Sequence, residues 1–138
     1  MVSNQKPVQF NWSDKIVLIA EDDSMSRRLL ELYLAPTRVK ILWATNGAEA
    51  LELVRRNRKT NLALLDIQMP VMNGFEVARE IKRDYNHISI IIQTAFAVPE
   101  YQKTCREIGC EDYITKPYSM GKLLNAMQVQ FSDVEVMN

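Results

Sequence analysis

"NLALLDIQMPVMNGFEVAREIKRDYNHISIIIQT", Asn61–Thr94, decides the fold. Two short apolar runs, "NLALL" (Asn61–Leu65) and "ISIII" (Ile88–Ile92), flank a segment in which Val77, Ala78, Ile81 and Tyr85 recur on one helical face. The runs are continuous and not alternating, as strands buried on both faces of a parallel sheet are. Asp66 follows the first run, and Gln93 and Thr94 follow the second. A carboxylate at the end of an apolar strand is costly to desolvate. Its position there therefore asks for a reason.

The same unit repeats on either side. "IVLIA" (Ile16–Ala20) precedes "SMSRRLLELYLA", with Met25, Leu29, Leu32 and Tyr33 at helical spacing. "VKILWA" (Val39–Ala44) alternates in part, which suits an edge strand, and Asn46 is placed to cap the helix of "NGAEALELVRRN". Pro99 opens and Gly109 closes a fourth helix. "DYIT" (Asp112–Thr115) is a last short strand, and Met120, Leu123, Leu124, Met127 and Phe131 form one stripe of a closing helix. Five strand–helix units in sequence predict a doubly wound α/β domain. It is expected over residues 15–131, between a leader or linker at 1–14 and a tail at 132–138. Phe10 and Trp12 are apolar exceptions in the leader and candidates for packing on the domain. The methionines at helical spacing are read as core, and Asn73-Gly74 as a turn signal.

Composition narrows the class. Seventeen basic and seventeen acidic residues among 138 leave no net field to draw nucleic acid or an anionic membrane. Cys105 and Cys110 flank one turn and, with His87 the only histidine, do not make a metal-binding pattern, so both are read as free thiols. No apolar run has the length of a membrane span, and the start lacks a signal-peptide core, so a cytoplasmic location is expected.

In sheets of this kind ligands bind beyond the carboxyl ends of the strands. The first strand brings Glu21, Asp22 and Asp23 to that edge, the third Asp66, the fourth Thr94 and the fifth Lys116. Asp23, beside Ser24, is read as a helix cap. Two carboxylates ~4 Å apart repel by about 4 kcal/mol at an effective dielectric of ~20. Such a cluster needs cations or a retained proton. Lys116 supplies one charge. A hard divalent ion suits the remainder, and Asp22, Asp66 and the Gln68 carbonyl are the oxygen ligands Mg²⁺ favours, with Glu21 acting through a water. A carboxylate beside such an ion can act as a nucleophile toward phosphorus, with Lys116 and the Thr94 hydroxyl on the phosphoryl oxygens.

"LIAEDD", "LLDIQMPVMNG", "QTA" and "YITKP", in that order, resemble the receiver domain of two-component response regulators over about Lys15–Phe131. The resemblance implies a flavodoxin-like (βα)5 fold with parallel strand order 2-1-3-4-5 and a cis bond before Pro117. It implies that Asp66 accepts a phosphoryl group in a Mg²⁺-dependent reaction, that Glu21 and Asp22 are the acidic pair, and that Lys116 pairs with the phosphate. Thr94 and Tyr113 become the switch hydroxyl and aromatic. Gln68 and Phe96 become the positions that tune phosphoryl lifetime, with Phe96 shielding the group from water. Glu21 departs from the aspartate more usual in the family. The implied donor is a sensor histidine kinase or a histidine phosphotransfer protein, and "FNWSDK" resembles the stretch before receivers at the ends of hybrid kinases, which leaves a receiver of such a kinase and a stand-alone regulator both open. The implied activity is self-phosphorylation and slow dephosphorylation with no independent turnover. The face of the fourth helix, fifth strand and fifth helix would carry the output and any dimerisation.

Other classes fit less well. An aspartyl-phosphate hydrolase typically has a second Asp two residues beyond the nucleophile, where this chain has Gln68. A nucleotide- or flavin-binding module calls for a glycine- or hydroxyl-rich loop after the first strand, where this chain has "EDDS". A degenerate receiver, used as a phosphorylation-independent interaction module, is the alternative left open.

Overall fold

The structure is a computed structural model that describes residues 9–132. Five parallel strands form one sheet: β1 (Ile16–Ala20), β2 (Lys40–Ala44), β3 (Leu62–Asp66), β4 (Ser89–Thr94) and β5 (Asp112–Thr115). Their order is β2-β1-β3-β4-β5, the flavodoxin-like arrangement. The helices are α1 (Ser24–Leu34), α2 (Gly47–Arg56), α3 (Gly74–Asp84), α4 (Pro99–Ile108) and α5 (Met120–Phe131), with a 3-10 turn at Ala35–Thr37.

The sheet is parallel because each pair of strands is joined by a helix that must cross over, and it is buried because those helices cover both faces. All of β3 is buried, as is β4 from Ile90 to Thr94. One face packs Leu18, Leu65, Ile90 and Ile92 against α2, α3 and α4. The other packs Ile19, Leu64, Ile91 and Ile114 against α1 and α5. β2 is an edge strand and only half-covered, in keeping with its partial alternation.

Side chains punctuate the helices where the chain must leave the sheet. Asp23 accepts a hydrogen bond from the Ser26 N–H, Asn46 from Glu49 and Ser119 from Lys122, at the starts of α1, α2 and α5. The Asn73-Gly74 pair is not a free turn. Asn73 caps α3, and the Glu76 carboxylate returns to the Asn73 N–H, so two otherwise unbonded donors are satisfied reciprocally. α4 ends at Gly109, whose φ of +93° favours glycine; the N–H groups of Gly109 and Cys110 both reach the Cys105 carbonyl. The Lys116-Pro117 bond is cis. Cys105 is buried and Cys110 half-buried, both as free thiols.

Two expectations about side-chain direction change. α1 buries Leu30 and Leu34, while Met25, Leu29 and Leu32 face outward, Met25 at 80% exposure. Two apolar stripes at three- and four-residue spacing run along this helix, and only one can meet the sheet. Met120 is likewise exposed, at the first turn of α5, whereas Met127 is core. Phe10 and Trp12 do pack on the domain. The Trp12 backbone N–H donates to the Thr37 carbonyl and its indole N–H to Gln128 Oε1, and its ring meets Phe131 edge-on. The rest of the leader through residue 8, and the tail beyond Ser132, lie outside the described residues.

The loop from β3 to α3 is tight. Met72 N–H bonds the Pro70 carbonyl across Val71, an exposed β-branched residue at φ +72°, which is a strained γ-turn. Further on, Gly74 lies against the end of β3, and a Cβ there would fall 2.3 Å from the Asp66 carbonyl oxygen. Gly74→Ala is therefore expected to lower stability in urea unfolding by about 2 kcal/mol. Gly121→Ala, where the nearest atom is Ser119 Oγ at 3.9 Å, should be neutral or stabilise by up to about 1 kcal/mol. Val71→Gly, which is free at positive φ, should raise stability by about 1 kcal/mol in the same assay.

Candidate functional site

The pleat decides what each strand end presents. Residues two apart share a face, so Glu21, Asp66, Gln93 and Lys116 continue the rows of Ile19, Leu64, Ile91 and Ile114 on the α1–α5 side. Thr94 continues the row of Ile92 on the other side. Five polar groups thus meet where two apolar layers give out.

Lys116 joins them. Its Nζ donates to Glu21 Oε1 and to Asp66 Oδ2, each at 2.8 Å. The Gln68 N–H donates to Asp66 Oδ1 at 3.1 Å, and the Asp23 N–H to Glu21 Oε2 at 3.2 Å. Asp22 is exposed, yet a carboxylate oxygen from each of Glu21, Asp22 and Asp66 lies within 4.8 Å of the others. With Gln68, Thr94, Phe96 and Lys116 they line a cavity of about 370 Å³. Arg27, on the first turns of α1, donates to the Glu21 carbonyl at 3.0 Å and brings a second cation close by.

Electrostatics follow from burial. Glu21 is only 1% exposed; burial pushes its carboxyl above the ordinary range, against the pull of Lys116. Burial opposes the charge on Lys116, but the hydrogen bonds to Asp66 and Glu21 outweigh it and hold the ammonium above its usual range. Lys116 thus stays charged where the carboxylates need it. The Tyr118 phenol is also held up, chiefly by burial and then by the Glu21 and Asp66 charges, so it remains a hydrogen-bond donor. Asp23 is lowered by the backbone N–H of Ser26, as suits a cap, and it does not line up with the three clustered carboxylates.

Thr94 is fully buried, and its Oγ1 accepts from the Phe96 N–H at 3.1 Å. The Lys116 N–H reaches the Thr94 carbonyl at 2.7 Å, so the ends of β4 and β5 are tied together. Tyr113 is half-buried on β5, and its O–H donates to the Phe96 carbonyl at 2.9 Å. Phe96 is 50% exposed, with its ring at the rim of the cavity. Gln68 is exposed and lines the same rim.

The residues chosen from sequence therefore collect at one edge, Glu21, Asp22, Asp66, Gln68, Thr94, Phe96 and Lys116 around the cavity and Tyr113 beside it. Sequence reasoning passed over Gln93, Tyr118 and Arg27. Gln93 is fully buried; its Nε2 donates to Glu21 Oε1 at 3.3 Å and its Oε1 accepts from the Tyr118 O–H at 2.5 Å. The signal was present: a polar residue closing "ISIII" stands in the same relation to its strand as Asp66 does to "NLALL".

Residues 17–128 match the response regulator receiver domain family. The polar-differentiation response regulator DivK of Brucella anthropi is 35% identical over 121 residues, which cover 86% of this chain and 98% of that protein. Among solved structures, a DNA-binding response regulator of the LuxR family from Staphylococcus aureus is 30% identical with a TM-score of 0.76, covering 86% of this chain and 99% of the other. The chemotaxis protein CheY4 of Vibrio cholerae is 26% identical with a TM-score of 0.77, over 83% of this chain and 97% of its own. No helix among the described residues is long and apolar enough to cross a membrane. The match spans nearly all of the sheet and helices and every strand end that feeds the cavity, and by it the chain belongs to the response regulator receiver domain family.

Proposed function

We propose that this domain, residues 15–131, receives a phosphoryl group on Asp66 from a phosphohistidine, borne by a sensor histidine kinase or a histidine phosphotransfer protein. One observation carries the reading: the Asp66 carboxylate, at the open end of β3, is bridged by an ammonium at 2.8 Å inside a cavity that Glu21, Asp22 and Asp23 also line. The donor set fits Mg²⁺. It consists of hard oxygens, and three carboxylates against one lysine leave room for two positive charges. Asp22, Asp66 and the Gln68 carbonyl would hold the ion, with Glu21 acting through a water. When bound, it would neutralise charge on the phosphoryl oxygens.

The chain's own groups do the rest. The Gln68 N–H and Lys116 orient the Asp66 carboxylate, one on each oxygen, and leave it lone pairs directed at the cavity. An Asp66 oxygen bonds to phosphorus as the phosphorus–nitrogen bond to the donor imidazole breaks. Lys116 then follows the new charge to a phosphoryl oxygen, and the Thr94 hydroxyl donates to another. Added charge of about −1.5 to −2 is enough to bias a two-state element. Here that element is the Thr94–Phe96–Tyr113 set. Drawing Thr94 inward disturbs the Phe96 segment whose carbonyl holds the Tyr113 O–H, which frees the ring for a buried rotamer. The face of α4, β5 and α5 then changes its affinity for a partner, or for a second copy, by population shift. We place this signalling in the cytoplasm.

Intact mass after incubation with acetyl phosphate tests the reading. One adduct is expected with Mg²⁺ present, none after chelation and none in Asp66→Asn. No adduct from a wild-type protein that binds Mg²⁺, even with a phosphorylated histidine donor, would favour the phosphorylation-independent module. Phe96→Ala should shorten the lifetime of the adduct roughly fivefold, about 1 kcal/mol of barrier, followed by loss of the mass shift with time. An unchanged lifetime would remove the shielding role of that ring.

A further inference from the structure

Gln93 is a buried amide with no part in the reaction outlined above, on a sheet face otherwise filled by Ile91, Ile114 and Leu123. An aliphatic side chain would pack there without the cost of desolvating an amide. Yet both ends of Gln93 are used. Its N–H donates to Glu21 Oε1, and its oxygen takes the Tyr118 O–H. The reversed amide would set oxygen against carboxylate, so the Tyr118 phenol fixes which way the group points. Tyr118 is itself held, its carbonyl taking the Tyr33 O–H from α1 at 3.3 Å.

The partner is specific to glutamate. β1 and β4 are separated by β3, so residues 21 and 93 stand roughly 9.6 Å apart across the sheet. They meet only because both side chains are long. An aspartate at 21 is one methylene short, and a contact already at 3.3 Å would be lost. The Gln93 bond also settles what Glu21 can do. Oε1 receives both Lys116 and Gln93 and has no lone pair to spare, while Oε2 receives the Asp23 N–H and keeps one. The longer arm is thereby held back against the sheet, with a single acceptor direction left toward the cavity.

We propose that Gln93, oriented by Tyr118, is a positioning residue that fixes the Glu21 carboxylate so that a glutamate serves in the cation site. This rests on the proposed Mg²⁺ role of the site. A hydrogen bond that orients a direct metal ligand is typically worth 10–100-fold in affinity; Glu21 acts through a water, so the lower end of that range applies.

The test is a double-mutant cycle read by calorimetric titration with Mg²⁺ alone, needing no phosphodonor. Gln93→Met, similar in length and apolar, should weaken Mg²⁺ binding about tenfold, and Tyr118→Phe should weaken it in the same direction. In the Glu21→Asp background, where residue 21 no longer reaches Gln93, Gln93→Met should change affinity by less than about twofold. Equal losses in both backgrounds, or no loss in the first, would overturn the positioning role while leaving the cation site intact. A wild-type protein that binds no Mg²⁺ would overturn both. If Gln93→Met does not fold, Tyr118→Phe carries the same comparison, because it leaves the ring in place and removes only the hydroxyl that orients the amide.

Discussion

Lys116 sits between a carboxylate from β1 and a carboxylate from β3, with 2.8 Å to each, and the arrangement of the whole edge depends on that bridge. Parallel strands all end on the same side, so whatever polar groups they carry are forced together. In this chain three of those groups are acids. Glu21 is almost wholly removed from water, where an unpaired charge would be far more costly than at the surface. One ammonium touching two carboxylates lets the sheet close with these acids in place. It also leaves the site short of positive charge. A site in that condition favours a hard cation over a further anion.

The rest of the domain keeps this edge rigid. β1, β3 and β4 are buried on both faces, so no strand can slide without moving its apolar set out of register. The Asn73–Glu76 capping box and the close approach of Gly74 to the Asp66 carbonyl fix the loop that leaves Asp66. The Lys116 N–H to the Thr94 carbonyl fixes the two strand ends that answer to it. The rim is less tied down: Phe96 is exposed and the Tyr113 hydroxyl is held by one bond to a backbone carbonyl.

Much of this was legible in the residues, and the reason is physical. Strands covered on both faces read as unbroken apolar runs, so "IVLIA", "NLALL" and "ISIII" announced themselves, and Pro99 and Gly109 marked α4 at both ends. Acids and a lysine at strand ends then pointed to one edge. Facing was less legible. α1 carries Met25–Leu29–Leu32 beside Leu30–Leu34, and spacing alone does not say which stripe meets the sheet. Asn73-Gly74 reads locally as a turn; only Glu76, three residues on, signals a helix start. Gln93 and Tyr118 were overlooked because they are neither nucleophile nor charge. Their importance lies in a contact made across an intervening strand, which no local pattern records.

The Trp12 clasp gives this layout a directional consequence. α5 runs back from the acidic edge, and its twelve residues carry the chain about 18 Å to the opposite pole. There Phe131 meets Trp12, with Phe10 stacked on the indole at 5.2 Å between ring centres. Both approaches to the domain are thus knotted together at one point. That point lies roughly two screening lengths from the site, since the Debye length is ~8 Å at physiological ionic strength. A tether leaving from this pole is shielded from the field of anything bound at Asp66. A change at the site would reach such a tether chiefly through repacked side chains and displaced backbone.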